Sequence, residues 1–167
     1  FVRKGGALLL DVYKAHFQGS AELYLVTKQA PGELPPHVHV HADFTPNDKR
    51  LTELYAQVDM LVVPTTADTG PLWVYMEAMA MRLPIGGTDT GSNTELVRHG
   101  ETGLIVKIGD GEELASAIRT LAEDSVLRTR MGNRGRELIE RDYSASVNVP
   151  RILSVMKSAV EASRAVV

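Results

Sequence analysis

Short runs of β-branched and apolar residues recur along the chain, separated by longer stretches in which apolar positions return every three or four residues. The runs at 22–27, 38–41, 60–64, 84–88 and 103–106 have the length of parallel strands, and the stretches at 6–17, 48–58, 72–82 and 93–99 have the period of helices. This alternation predicts βαβ units on a parallel sheet, an α/β, Rossmann-like half-domain with helices on both faces. Ser92-x-x-Glu95 has the spacing of a capping box, as does Asp110-x-x-Glu113, which opens a helix to about residue 122. Two more helical stretches, 125–141 and 145–165, follow. The last is expected to pack beneath the sheet or to cross toward another lobe. The beginning is anomalous: Phe1-Val2-Arg3-Lys4-Gly5-Gly6 reads as a strand-to-helix loop with no apolar run before it. The first, central strand of a doubly wound sheet is therefore missing, and two inner edges are expected to be unpaired and available for self-association.

A length of 167 residues suits one domain. With 44% hydrophobic and 23% charged residues the composition excludes disorder, collagen and coiled coil. A net charge of -3 supplies no basic field for nucleic acid, and membrane association is not indicated. The absence of cysteine argues against a disulfide framework, so a reducing compartment, the cytoplasm, is expected.

Open parallel sheets bind ligands at the carboxyl ends of their strands, and four loops fall there. Arg3-Lys4-Gly5-Gly6 sets two cations before a turn at a helix start, which suits phosphate oxygens or, alternatively, is a solvated basic turn. The loop from Pro64 to Leu72 enters the helix that carries Glu77. Gly70 allows close backbone approach and Pro71 suits the first helical position. Amides from Leu72 onward are placed to bind a diphosphate. Glu77, about a turn and a half inside, is placed to accept two hydrogen bonds from a ribose diol, against the plainer reading of a surface carboxylate. The third loop, Thr88 to Asn93, repeats the design, and Gly91 either lines the same cleft or serves only as a turn. The fourth, residues 42–48, brings Phe44 and polar groups to where a nucleobase edge is read. His37, His39 and His41 put three imidazoles on one strand face about 7 Å apart, read as a half-exposed face rather than a metal site. Met76, Met79 and Met81 are read as core filling.

From Leu54 to Tyr143, LYAQVDMLVVP and then GPLWVYMEAMAMRLPIGGTDTGSNTELVRHGETGLIVKIGDGEELASAI resemble the donor-binding domain of glycosyltransferase family 4, retaining enzymes of the two-domain GT-B fold. RKGG near the start matches as well. The resemblance implies that residues 1–167 are the C-terminal, nucleotide-sugar-binding half of such an enzyme, with the N-terminal acceptor domain absent. It also implies a nucleoside-diphosphate sugar as donor and no metal or other cofactor. Within it, Lys4 corresponds to a lysine on the donor diphosphate, and Glu77 to the second, ribose-binding glutamate of an E-x7-E motif. Gly70 to Leu72 correspond to the loop whose amides meet phosphate and sugar. Eight residues before Glu77 stands Thr69 in place of glutamate, with Asp68 the nearest carboxylate, so these two are the candidate catalytic residues. Pro71 removes an amide that relatives supply. Two alternatives stay open: a nucleotide-sugar epimerase of the same architecture, and a degenerate nucleotide-binding or assembly module.

Overall fold

The computed structural model describes residues 1–164 apart from 30–31, 46, 68–72 and 92. In chain order the elements are α1 (Gly6–His16), β1 (Leu23–Val26), β2 (Val38–His41), α2 (Lys49–Tyr55), β3 (Leu61–Val63), α3 (Trp73–Ala80), β4 (Ile85–Thr88), α4 (Asn93–Leu96) and β5 (Gly103–Val106). Then come α5 (Gly111–Glu123), α6 (Ser125–Leu138), a π-helical turn (Ile139–Tyr143) and α7 (Ala145–Arg164). All five expected strands form within one residue of their expected bounds.

The strands are parallel but belong to two sheets, β1–β2 and β3–β4–β5. No backbone ladder joins β1 to β3 among the described residues, so the expected unpaired inner edges are present. The two sheets nonetheless share a core. Leu25 of β1 packs with Leu9, Val12, Tyr13 and Phe17 of the first helix and its end, with Val106 of β5 and with Leu114 of α5; Leu23 and Val62 pack against the same cluster. A second cluster on the opposite side brings Tyr55, Tyr75, Ala78 and Met79 onto Ile85, with Leu96 and Val97. β4, paired on both edges, is buried along its whole length, whereas every residue of β3 is partly exposed.

Local chemistry explains the helix starts. Asp48 Oδ1 accepts from the Arg50 amide at 3.0 Å to cap α2, and Asp110 Oδ1 accepts from the Glu113 amide at 2.9 Å to cap α5. Only half of that second capping box forms. The Glu113 carboxylate accepts instead from the Lys107 amide at 2.9 Å and from Lys107 Nζ at 2.7 Å, the charge-assisted choice. The other box involves Ser92, outside the described residues.

Several expectations are corrected. The helix expected to reach residue 141 ends at Leu138 and continues as the π-helical turn, and α2, α3 and α4 stop short of 58, 82 and 99. His37 has a left-handed φ of 63° and precedes β2, so only His39 and His41 share a strand face. Met79 is fully buried, but Met81 is 36% exposed and is not core filling. α7 does not lie beneath the sheet: it contacts the π-helical turn, and Val149, Ile152, Leu153, Met156 and Val160 are each at least half exposed.

Candidate functional site

The carboxyl ends of β3 and β4 gather the Arg3–Lys4 turn, residues 64–67 and the turn after Thr88. α1 opens at Gly5, whose φ of 75° suits glycine and whose Cα lies so close to the Pro64 carbonyl that a Cβ would stand 1.9 Å from that oxygen. The Arg3 carbonyl accepts from Thr65 Oγ1 at 3.1 Å, from the Thr66 amide at 3.0 Å and from Thr66 Oγ1 at 3.2 Å. Arg3 Nη1 donates to the Ala67 carbonyl at 3.2 Å. Lys4 is thereby set beside the segment that leads to Gly70. The Phe1 ammonium reaches Gln29 Oε1 at 3.5 Å, so the start of the chain also approaches the segment after β1.

α3 rises from the same end. Tyr75, Ala78 and Met79 are completely buried, and the Tyr75 hydroxyl donates to the Val63 carbonyl at 3.1 Å. Glu77 lies on the exposed side of this helix. Its Oε2 accepts from the hydroxyl of Tyr55 at 3.2 Å, a residue of α2 that is itself buried. Burial, and then the negative Glu77, push the Tyr55 hydroxyl well above its ordinary pKa, which keeps it a proton donor to the carboxylate.

Behind the strand ends lies a buried polar cluster. Thr65, Thr88 and Asn93 are fully buried and Thr90 nearly so. Thr88 Oγ1 donates to the Thr65 carbonyl at 2.6 Å, and Asn93 Nδ2 donates to Thr90 Oγ1 at 2.7 Å. Gly91 is exposed, with a left-handed φ of 52°, in the turn closed by the Asn93 amide on the Thr90 carbonyl at 3.1 Å. Asp68, Thr69, Gly70 and Leu72, four of the residues singled out from the sequence, lie outside the described residues. Tyr55, Thr65 and Thr88 were not singled out for chemistry. For Thr65 and Thr88 a polar residue after an apolar strand is the only local signal, and for Tyr55, at the end of α2, there is none; the partners of Tyr55, Thr65 and Thr88 lie 22, 62 and 23 positions away.

The β1–β2 half differs in chemistry. Tyr24 stacks on His39 with centroids 4.7 Å apart, His41 stacks on Phe44 at 4.8 Å, and the Arg50 guanidinium sits 4.9 Å from the Phe44 ring centre. Tyr24, His41 and Phe44 border a cavity of about 330 Å³ that reaches α2 at Glu53 and Leu54. The imidazoles thus serve a ring stack. No group of three or more His, Asp or Glu among the described residues is arranged to hold a metal ion. No helix among them is long and apolar enough to cross a membrane.

Residues 2–124 match the family model described as glycosyl transferases group 1. The chain belongs to this family. It is 30% identical over 107 residues to an N-acetyl-alpha-D-glucosaminyl L-malate synthase of Bacillus anthracis, a match covering 64% of this chain and 28% of that protein. It is 34% identical over 104 residues to the lipopolysaccharide core biosynthesis glycosyltransferase LpsE of Rhizobium meliloti, covering 62% and 30%. This glycosyltransferase domain thus spans under a third of the length of those relatives. Its fold matches half of sucrose-phosphate synthase from Thermosynechococcus elongatus, with a TM-score of 0.86 at 23% identity over 97% of this chain and 44% of that one. It likewise matches Anabaena HepE solved with UDP-glucose, with a TM-score of 0.83 at 21% identity over 95% and 46%. The architecture is that of one Rossmann-like half of a GT-B glycosyltransferase.

Proposed function

We propose that the domain is the donor-binding half of a retaining glycosyltransferase that takes a sugar from a nucleoside-diphosphate sugar and passes it to an acceptor held by an N-terminal domain. The observation that carries this reading is the junction of the Arg3–Lys4 turn with the end of β3, which brings a cation to the approach of the helix holding Glu77. In the reaction, cleavage of the bond between the anomeric carbon and the diphosphate builds negative charge on the leaving phosphate. The Lys4 ammonium and the amides from Leu72 onward meet that charge, and their stabilisation grows toward the transition state. Glu77, one oxygen already held by Tyr55, takes the ribose hydroxyls through its carboxylate. HepE, solved with UDP-glucose, adds support for a nucleotide-sugar donor.

Thr69 in the place of the family's first glutamate favours a second reading, a domain that binds the nucleotide without turnover. Asp68 is then the residue to question. The intact protein, incubated with UDP, GDP and ADP sugars and a panel of acceptor alcohols, is expected to release the nucleoside diphosphate and to join the sugar to the acceptor oxygen as a glycoside with the anomeric configuration of the donor, read by NMR. Binding without release supports the second reading, and an inverted product overturns the retaining mechanism. Wild-type transfer by Asp68→Asn would remove Asp68 from the reaction.

A further inference from the structure

We propose that Thr65 and Thr88 are positioning residues for the Lys4 ammonium, a role that rests on the donor-diphosphate reading above. The Arg3 carbonyl and the Lys4 amide belong to one planar peptide unit, so whatever fixes that oxygen fixes the plane that ends at the Lys4 Cα. Thr65 Oγ1 donates to this carbonyl from a fully buried position, while the Thr66 amide and hydroxyl donate to it from the more exposed side. On the other flank of Lys4, Gly5 is pressed against the Pro64 carbonyl too closely for any side chain. Lys4 is therefore suspended between two points that both belong to the end of β3. The end of β3 is tied in turn to β4, because Thr88 Oγ1 donates to the Thr65 carbonyl at 2.6 Å, also from full burial.

The hydroxyls are informative because valine has nearly the same shape as threonine, and at a dry position a hydroxyl is tolerated only when it is bonded. Here each bond runs toward the anion site: β4 to β3 through Thr88, β3 to the Arg3–Lys4 peptide through Thr65. A lysine side chain has four rotatable bonds, and fixing its Cα removes the backbone part of its freedom before the diphosphate arrives. The ladder thus places the cation without touching the ligand.

The test uses the intact protein and calorimetry with the tightest binder among UDP, GDP and ADP, compared with its monophosphate and its nucleoside. Thr65→Val and Thr88→Val are expected to weaken diphosphate binding about tenfold, the scale of one lost buried hydrogen bond, and to leave the nucleoside unchanged. Thr65→Ser is expected to restore the affinity. In a Lys4→Met background Thr65→Val is expected to have no further effect, a non-additivity that general destabilisation does not produce. Thr102→Val serves as the control: that threonine is buried and bonds the Leu96 carbonyl at 2.7 Å, away from the Lys4 turn. Should Thr65→Val fail to fold, Thr66→Ala removes the exposed hydroxyl on the same carbonyl and is expected to weaken diphosphate binding in the same Lys4-dependent way. Additive losses, or equal losses for nucleoside and diphosphate, overturn the positioning role while leaving donor binding intact. An unchanged diphosphate affinity in Lys4→Met instead overturns the role of Lys4, and the positioning role with it.

Discussion

The β3–β4–β5 half and the β1–β2 half are both built from parallel strands, yet they solve the problem of polar groups in opposite ways. Where β4 is paired on both edges, water is excluded, and the polar side chains at the strand ends are threonines whose hydroxyls bond backbone carbonyls. Where β1 and β2 have a single partner each, the face away from the shared core carries Tyr24, His39 and His41, stacked on one another and on Phe44, with Arg50 bridging Asp43 and Asp48. Burial on both sides makes each hydrogen bond costly to lose and leaves Gly87 and Gly103 no room for a side chain; partial exposure leaves charges that water and salt weaken. The candidate diphosphate site stands on the dry half, where main-chain geometry is held most firmly.

The comparison is broken most easily by a small addition to the dry half. Gly132 of α6 rests against the Arg82 carbonyl, and a Cβ there would stand 1.9 Å from that oxygen, a backbone atom that cannot rotate away. Gly132→Ala is expected to cost about 3 kcal/mol in urea unfolding. Gly19, before β1, has open space around it and pays only for its left-handed φ of 85°, so Gly19→Ala is expected to cost about 1 kcal/mol. Equal costs would show that the two halves are packed alike.

Next in size is the loss of the Glu77 carboxylate. Glu77→Ala is expected to weaken nucleoside-diphosphate binding by about 1–3 kcal/mol, the cost of a lost charged hydrogen bond, measured by calorimetry on the intact protein. An unchanged affinity returns Glu77 to the status of a surface carboxylate. Tyr55→Phe, which leaves that carboxylate in place but removes the hydroxyl that holds it, is expected to cost less, about 0.5–1 kcal/mol of binding. A Tyr55 effect equal to that of Glu77 would mean that orientation of the carboxylate accounts for all of its value.

The smallest effect belongs to the exposed half. Hydrogen bonds from the Arg50 side chain, and then from its amide, pull the Asp48 carboxyl from its ordinary 3.8 down to about 2. A folded pKa below the unfolded one adds stability that is complete above about 4 and is lost as the pH falls toward about 2. Hydrogen exchange of the α2 amides is expected to quicken over that window, less steeply in high salt, and Asp48→Asn is expected to flatten the dependence. A response to pH that survives this substitution would place the titrating group elsewhere.

How legible these features were depended on the distance between partners. The strands and the cap at Asp110 follow from patterns within a few residues, and they appear where the pattern puts them. The unpaired edges between the two sheets were legible too, because Arg3-Lys4-Gly5-Gly6 has the character of a strand-to-helix turn. The helix ends were less so. The turn at Ile139–Tyr143 has apolar spacing close enough to an α-helix that the sequence reads straight through it, while packing of that turn on α3 and α7 selects the wider winding. Met81 looked like its neighbour Met79 and ended on the surface because α3 stops at Ala80.

The amino-acid order alone determined the α/β class, the parallel strands, the family resemblance and the candidacy of Lys4 and Glu77, since each is written in periodicity or in a motif a few residues long. Only the tertiary structure decided that Tyr55 would hold Glu77, that Thr65 and Thr88 would tie the Arg3–Lys4 peptide to two strands, and that His41 would stack on Phe44. Those contacts join side chains to partners on other elements, and a hydroxyl or an imidazole carries no local mark of the atom it will meet once the sheets close around a common core.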